Sequence, residues 1–441
     1  MNAIAADCQE KYQVSPIRSV PTEWDEKTLL DAVGMKKDLI VAGPFGSNLK
    51  VSDYRDEGIP IIRLQNIDYG KFIDKEIKYI SPEKARELAY HSFRAGDLVL
   101  AKLGDPIGKT CIVPDYFQDG VVVADVVRIR VADGLADKNF IMYSLNSVAT
   151  KNQLINGTIG STRPRVNLDQ IRDIHILVPP FNEQHKIAAI LSSVDAAIEQ
   201  TDAIIAQTER MKKSLMQELF TKGIGNTEFK ETKIGSMPET WEFVTLGDVL
   251  SKVQYGLSKT GRPEGKYPII RMNNLSRGHV DISSLQYVDL GEFEYQKYRI
   301  EKRDILFNRT NSFDLVGKTS IFNLDGNFVF ASYIIRIVCR SERILPDYLN
   351  FYLNWDVSQG RLKDVATKGV SQSNINAKSL RKFSIFLPTI PEQLKIAAIL
   401  SEFESKLCLE KLYRDRLSAL KKGLMQNLLT GRVRVKVDGH A

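Results

Sequence analysis

The sequence predicts an α+β protein made of two pseudo-symmetric halves, each a mixed α/β domain followed by one long helix, and three observations predict it. The stretch EQHKIAAILS at residues 183–192 returns as EQLKIAAILS at 392–401, and at the same offset MKKSLMQELFT (211–221) falls on LKKGLMQNLLT (420–430). Such self-similarity marks an internal duplication. The first of these segments has neither Gly nor Pro from Glu183 to Leu219, and Ile187, Leu191, Val194, Ile198, Thr201, Ile205 and Thr208 recur in alternating steps of four and three, the spacing of a coiled-coil seam. The regions upstream read differently, as short β-branched runs broken by Gly, Pro, Asn and Asp, which is the pattern of strands and turns.

Taken in chain order, residues 1–180 form the first domain with an N-terminal tail. It contains VPTEWDEKTLLD (20–31), IPIIRLQNI (59–67), the helical PEKARELAYHSF (82–93), AGDLVLAK (95–102), DVVRIR (125–130) and a strand closed by proline, IHILVPP (174–180). Residues 181–222 are the first long helix. The second domain, 223–389, opens on a short linker (223–236) and repeats the order: MPETWEFVTLGD, YPIIRMNNL, KRDILFNR, YIIRIV and FSIFLPTIP. Residues 390–430 are the second helix, with Ile396, Leu400, Phe403 and Leu407 as its seam, and Gly431 ends it before a tail at 431–441. A helix of this length reaches about 55–60 Å, more than a small domain needs for its own core. Two similar helices can bury their apolar stripes on each other, giving a pseudo-twofold that suits a twofold partner.

A formal charge of +7 and a pI near 8.9 make a polyanionic partner plausible. Cys8, Cys111, Cys339 and Cys408 stand far apart with no C-x-x-C, which argues against a zinc site or disulfide framework and fits a reducing cytoplasm. The N-terminus lacks a signal-peptide pattern, and no apolar run approaches the roughly 20 residues needed to span a bilayer. A soluble, cytoplasmic protein is expected.

GDPIGKT (104–110) resembles a phosphate-binding loop but is one residue short of G-x-x-x-x-G-K-[ST], and Pro114 stops the apolar run that would have to form the following helix. LVGKTSIF at 315–322 repeats its end, so the tripeptide GKT belongs to the duplication. There is no H-E-x-x-H, no G-x-S-x-G and no clustering of the five histidines. Asp97 and Asp304 are equivalent positions before an apolar strand, where a turn role outweighs Mg²⁺ binding. No catalytic residue and no metal ligand is assigned.

Two diverged domains joined by two similar long helices, GPFGSNLK at 43–50, PIIR in each half and EQ-x-KIAAILS opening each helix together resemble the specificity subunit of a type I restriction-modification enzyme, over about residues 21–430. The resemblance implies that the domains are target recognition domains, each reading one half of a split, asymmetric site in double-stranded DNA. It implies that the helices lie antiparallel, set the gap between half-sites and dock two methyltransferase subunits, with Ile187, Leu191, Val194, Ile198, Ile396, Leu400, Phe403 and Leu407 in helix pairing and partner docking. Restriction/motor subunits complete the enzyme. S-adenosylmethionine, ATP and Mg²⁺ are then required only by partner subunits, and this chain performs no chemistry. One departure is that the middle of the second helix, CLEKLYRDRLSAL, is far more charged than AIEQTDAIIAQT in the first. Two other readings remain: a two-module coiled-coil scaffold for partners other than DNA, and a nucleotide hydrolase or nuclease built round GDPIGKT.

Comparison of the halves sorts the DNA-binding candidates. Positions alike in both, Arg63/Arg271, Asn66/Asn274 and Lys109/Lys318, serve folding or grip the phosphate backbone, which is the same at every sequence. Positions that differ are where base sequences are told apart. Arg pairs with guanine and Asn or Gln with adenine, each pair contributing about 1–3 kcal/mol of discrimination. The polar loops therefore nominate Ser47, Asn48, Lys50, Gln65, Lys102, Arg163 and Arg165 in the first domain. In the second they nominate Lys259, Arg262, Asn273, Arg309, Asn311, Gln372 and Ser373.

Overall fold

The fold is described from a computed structural model for residues 12–14, 19–158, 164–276, 278–369 and 372–436. The chain divides into two compact units. The first comprises Met1–Asp202 with Tyr413–Ala441, and the second comprises Ala203–Leu412.

In the first unit the duplicated runs build an antiparallel four-stranded sheet, in the order Thr110–Ile112, Leu98–Ala101, Val126–Ile129, Ile40–Ala42. A second four-stranded sheet orders Lys78–Ile80, Ile59–Ile62, Gly120–Val122 and Ser92–Phe93. The second unit repeats the plan. Thr319–Ile321, Ile305–Asn308, Ile334–Cys339 and Leu250–Tyr255 are consecutive strands of a five-stranded sheet, and Gln286–Val288, Tyr267–Ile270 and Val329–Phe330 make the smaller one. The strands read as near-continuous apolar runs, LVLA against ILFN and VVRI against IIRIVC, because both faces of each sheet are covered. A pair of strands closes each domain: Asp25–Thr28 on His175–Val178, and Glu242–Thr245 on Ser384–Leu387.

The two long helices are Phe181–Thr221 and Ile390–Leu428. Inside the first unit they run antiparallel, since Asp195 meets Lys421 at 2.5 Å and Asp202 meets Arg414 at 3.3 Å. Inside the second unit Glu209 meets Lys411 at 2.7 Å while Lys212 pairs with Glu404, again one index rising as the other falls. The apolar seam does more than join helices. Ile187 and Leu191 are fully buried in a core shared with Trp24, Phe140 and the Leu428–Leu429 end of the other helix. Ile396 and Leu400 are fully buried with Phe220, Trp241, Tyr348 and Tyr352. Burial excludes Ile187, Leu191, Ile396, Leu400 and Leu407 from partner docking, a correction to the expectation above; the first four contribute instead to a domain core, at about 1.5–3 kcal/mol per buried aliphatic side chain. Val194, Ile198 and Phe403 are half-buried. Among the described residues no helix is long and apolar enough to cross a membrane.

The repeated Glu-Gln at the start of each helix fixes helix to domain. Glu183 is buried; it accepts a hydrogen bond from Trp24 Nε1 at 3.1 Å and is gripped by Arg434 at 2.8 and 2.9 Å. Glu392 accepts from Trp241 Nε1 at 2.8 Å, from the Ile224 N–H at 2.9 Å and from Asn226 Nδ2 at 3.0 Å. The next residue works on the other side. Gln184 accepts from the Asp137 N–H and donates to the Pro179 carbonyl; Gln393 accepts from the Leu345 N–H and donates to the carbonyls of Arg343 and Pro388. Asp137 and Leu345 are the N-caps of Lys138–Leu145 and Pro346–Asn354, so each long helix is tied to the first turn of a domain helix.

Replacing Glu392 with Ala orphans the buried Trp241 Nε1 and loosens the 222–226 linker. A buried donor left unpaired costs about 1–3 kcal/mol. The variant is expected to lower the unfolding free energy of the second unit, measured in urea, by that amount and to be cleaved faster by protease between Lys222 and Glu228. Wild-type cleavage rates would refute the anchoring role.

Candidate nucleic-acid interface

At one end of each main sheet the variable loops converge. In the first unit the Gly43 N–H bonds the Val126 carbonyl at 3.0 Å, the Lys102 N–H bonds the Asp125 carbonyl at 2.9 Å, and the Val166 N–H bonds the Lys102 carbonyl at 3.1 Å. Three segments, GPFGSNLK (43–50), AKLGD (101–105) and PRVN (164–167), therefore meet around Asp125. Arg165 pairs with the Asp125 carboxylate at 2.7 Å and remains half exposed. Ser47, Asn48 and Lys50 are exposed on the outer loop. That loop is pinned at its root, because a β-carbon at Gly43 would sit 2.1 Å from the Val123 carbonyl oxygen, and Gly256 is held the same way, 2.2 Å from the Ala331 carbonyl oxygen.

Lys102 departs from the expectation. It is buried, its ammonium 5.4 Å from the centroid of the Phe45 ring, and burial pushes its pKa down against the opposing pull of Asp125. The exposed member of this pair is Phe45, at 77%. Lys102 is corrected from a base contact to the support beneath that ring. Arg309 occupies the equivalent strand end in the second unit, stacked 4.8 Å from the centroid of Tyr255, which is 42% exposed. Its guanidinium is fixed at 3.3 Å to both the Ser332 carbonyl and Asn374 Oδ1. Asn311 lies opposite Ser373 in a strand pair beside it. Asn311 is half-buried and its Oδ1 accepts from the Ser312 N–H, whereas Ser373 is buried, so the side chain of Ser373 cannot touch DNA in this arrangement. Gln372 is exposed next to it. Arg163 lies outside the described residues.

Two of the pairs that are alike in both halves, Asn66/Asn274 and Arg63/Arg271, form structural bonds. Asn66 is fully buried; its Oδ1 accepts from the Arg63 N–H, and its Nδ2 donates to the carbonyls of Ile73 and Lys75. Asn274 does the same with Arg271, Asp281 and Ser284. Both are corrected from DNA contact to loop closure, since a side-chain amide with these partners and no exposure has nothing left for a ligand. Arg63 bonds the Glu76 carbonyl and Arg271 the Ser284 carbonyl, closing the same loops from outside. Gln65 is exposed but donates to Glu76 at 3.2 Å, and Asn273 is exposed. Lys259 pairs with Glu294 at 2.7 Å and Arg262 bridges Tyr287 through its backbone, placing both along the smaller sheet, with no contact to the Arg309 cluster among the described residues.

Nothing in the geometry resembles a nucleotide site. Lys109 pairs with Asp68 at 2.9 Å, and Thr110 is buried in a strand with its hydroxyl on the Gly108 carbonyl. Among the described residues no cluster of three or more His, Cys, Asp or Glu side chains is arranged to hold a metal. Asp97 and Asp304 cap turns, accepting from the Arg94 and Glu301 N–H groups. Each also neutralises an arginine, but from different strand positions. Asp97 takes Arg130 at 2.7–2.8 Å, and Asp304 takes Arg336 at 2.6 Å. The residue equivalent to Arg336 is Arg128, which bonds the Asp38 carbonyl instead.

This difference predicts unequal mutants. Asp304→Ala leaves Arg336 unpaired where both side chains are under 10% exposed (4% and 9%), a loss expected to cost about 3–5 kcal/mol. Asp97→Ala is expected to cost clearly less, because Arg130 is 32% exposed and water can solvate it. Urea unfolding of the two variants, compared with wild type, measures both.

A family model, the type I restriction modification DNA specificity domain, matches residues 46–210 and 238–418. The putative MjaX specificity subunit of a type I restriction enzyme from Methanocaldococcus jannaschii is 34% identical over 205 residues, 46% of this chain and 48% of that protein; in that alignment the chain spans about half the length of the relative. The EcoKI specificity subunit of Escherichia coli K12 is 23% identical over 89% of this chain and 82% of its own length, and the MjaIX specificity subunit is 22% identical over 97% and 98%. The solved S subunit of a type I restriction-modification system from M. genitalium has the same fold, with a TM-score of 0.55, 15% identity, and coverage of 92% of this chain and 96% of that one. A chain from a structural study of complex assembly in a type I R-M system also matches, at TM-score 0.55 and 17% identity over 94% and 99%.

Proposed function

The chain belongs to the family of type I restriction modification DNA specificity proteins, and from that premise we propose that each unit reads one half of a bipartite, asymmetric site in double-stranded DNA. The observation that supports this reading is the cation on an exposed aromatic ring, Lys102 on Phe45 and Arg309 on Tyr255, at the same strand end of both units and ringed by the loops that differ most between them. A common platform with divergent rims is what two different half-sites require. Phosphate contacts position the protein, and the rim residues Ser47, Asn48, Lys50 and Arg165 in one unit, with Asn311 and Gln372 in the other, contact base edges.

In this reading the long helices set the gap between half-sites and dock two methyltransferase subunits. Once the seam is buried, docking falls to apolar side chains left exposed on the second helix, among them Leu409 and Leu412 in one unit and Tyr413 and Leu420 in the other. S-adenosylmethionine, ATP and Mg²⁺ would act on the methyltransferase and restriction subunits.

The test is to co-express the chain with its methyltransferase and sequence the modified adenines. A two-part motif is expected. Asn48→Ala and Arg165→Ala are each expected to relax the motif in the first half alone, and to weaken binding of a cognate duplex about thirtyfold per lost base contact, the middle of the range for such pairs. An unchanged motif with unchanged affinity would remove those residues from the interface; absence of any two-part motif with the wild-type chain would sink the reading.

A further inference from the structure

A second cationic cluster stands beside the loops of the first unit. Tyr69 occupies the turn between strands Ile67–Asp68 and Lys71–Phe72 and is 37% exposed. Two ammonium groups from separate elements lie over its ring, Lys109 at 5.7 Å and Lys151 at 5.4 Å from the centroid. Lys109 is paired with Asp68 at 2.9 Å, which holds that carboxyl below the usual carboxylate range. Lys151 has no carboxylate partner among the described residues. The cluster of Asp68, Lys109 and Lys151 therefore keeps one uncompensated positive charge over the ring of a partly exposed tyrosine.

The second unit shows that this charge is a choice rather than a by-product of the fold. Asn146 clasps the strand residue Thr110 through both its N–H and its carbonyl, and Asn354 clasps Thr319 in the same way. These clasps make Val148–Asn156 and Asp356–Asp364 equivalent helices, with Lys151 and Gln359 at the same position. Gln359 is buried and bonds the carbonyls of Gly317 and Leu353. The first unit gives up those bonds and turns a cation outward.

Its location is set by the hairpin that also carries Lys102. The Ala101 N–H bonds the Lys109 carbonyl at 2.9 Å, so Lys102 and Lys109 flank the neck of one loop, one beneath Phe45 and the other beside Tyr69. Two ammonium point charges and a phenol hydroxyl carry no pattern that distinguishes bases. They suit a phosphodiester, whose oxygens accept from any direction and whose charge relieves the repulsion between the lysines.

We propose that Tyr69, Lys109 and Lys151 form a seat for one backbone phosphate of the DNA at the first half-site, a seat for which the second unit has no counterpart to Lys151. The proposal rests on the DNA-reading function above. Its test is the salt dependence of binding, measured by fluorescence anisotropy on a cognate duplex with the chain in complex with its methyltransferase. Lys151→Gln installs the residue found at the equivalent position 359. Loss of one phosphate contact lowers the slope of log affinity against log salt by about 0.9, so the deficit of the variant relative to wild type should shrink about 3.5-fold between 50 and 200 mM salt. The methylated motif should stay the same, as should the melting temperature. The double variant Lys109→Gln/Lys151→Gln should weaken binding further at about 50 mM salt but lower the slope by no more than the same roughly 0.9, because only one phosphate is seated. Parallel salt slopes for wild type and Lys151→Gln would overturn the seat while leaving the two-part motif, and hence the DNA-reading function, intact. A motif altered at one base would overturn it too, since Lys151 would then be reading sequence.

Discussion

A carboxylate taken wholly or partly out of water, beside a buried amide at the first turn of each long helix, is the constraint on which the rest of the structure depends. Glu183 is buried and Glu392 half-buried, and an ionised carboxylate leaves water at low cost only where donors replace it. Trp24 Nε1 with Arg434 supplies the donors in one unit, and Trp241 Nε1 with Asn226 and the Ile224 N–H in the other. The chemistry differs because the chain is continuous through residues 221–241 in the second unit. In the first, the same place is made by the end of the second helix meeting the strand before Trp24. An arginine brought from residue 434 replaces the backbone and amide donors that local chain supplies elsewhere. Gln184 and Gln393 then lock the opposite flank, so neither helix can rotate without breaking hydrogen bonds on both sides.

This explains why the helix-opening motif stayed nearly identical while the domains diverged. Its apolar letters lie in a shared core and its polar letters satisfy partners on three segments, leaving few positions free to vary. The sequence made the helices legible, because a seam in steps of four and three with no Gly or Pro admits little else. It did not reveal what the seam touches. Ile187, Leu191, Ile396 and Leu400 fit a coiled-coil heptad, yet they are buried by domain side chains as much as by the other helix. A periodic pattern specifies which face is covered and is silent on the cover. For the same reason the roles of Glu183 and Glu392 were illegible: their partners stand more than 150 residues away along the chain.

The loops were legible as a set and much less so as individuals. Divergence between the halves pointed to the polar loops that hold Ser47, Asn48 and Lys50, Lys102, and Arg163 with Arg165, and the described parts of these meet around Asp125. Within them, preference for Arg, Asn, Gln and Lys passed over Phe45 and Tyr255. An aromatic in a Gly-Pro turn reads from sequence as a core residue as readily as a surface one, and only the fold shows it exposed over a cation. Asn66 and Asn274 failed in the opposite direction. Being alike in both halves selected them, but likeness cannot separate a bond that closes a loop from one that grips phosphate, because both jobs are the same in each half.

Lys102 and Arg309 show how one scaffold accommodates two rims. An ammonium is compact and strongly hydrated, so burying it beneath Phe45 is costly unless its three donors are met or its charge is moderated, and here Asp125 moderates it. A guanidinium is planar and weakly hydrated. Arg309 can lie flat on Tyr255 while its edges reach the Ser332 carbonyl and Asn374, leaving the ring held from beneath and from the side. The lysine version leaves the Phe45 ring projecting from a loop rooted at Gly43 and closed by the Asn48 N–H on the Phe45 carbonyl, whereas the arginine version builds Tyr255 into a network, its hydroxyl accepting from the Ala377 N–H at 2.8 Å. A freely projecting ring presents apolar surface and a tethered phenol presents polar edges. The two units therefore offer different chemistry from the same strand end without any change in the sheet beneath, and that is the economy a duplicated domain needs if its copies are to recognise unlike sequences.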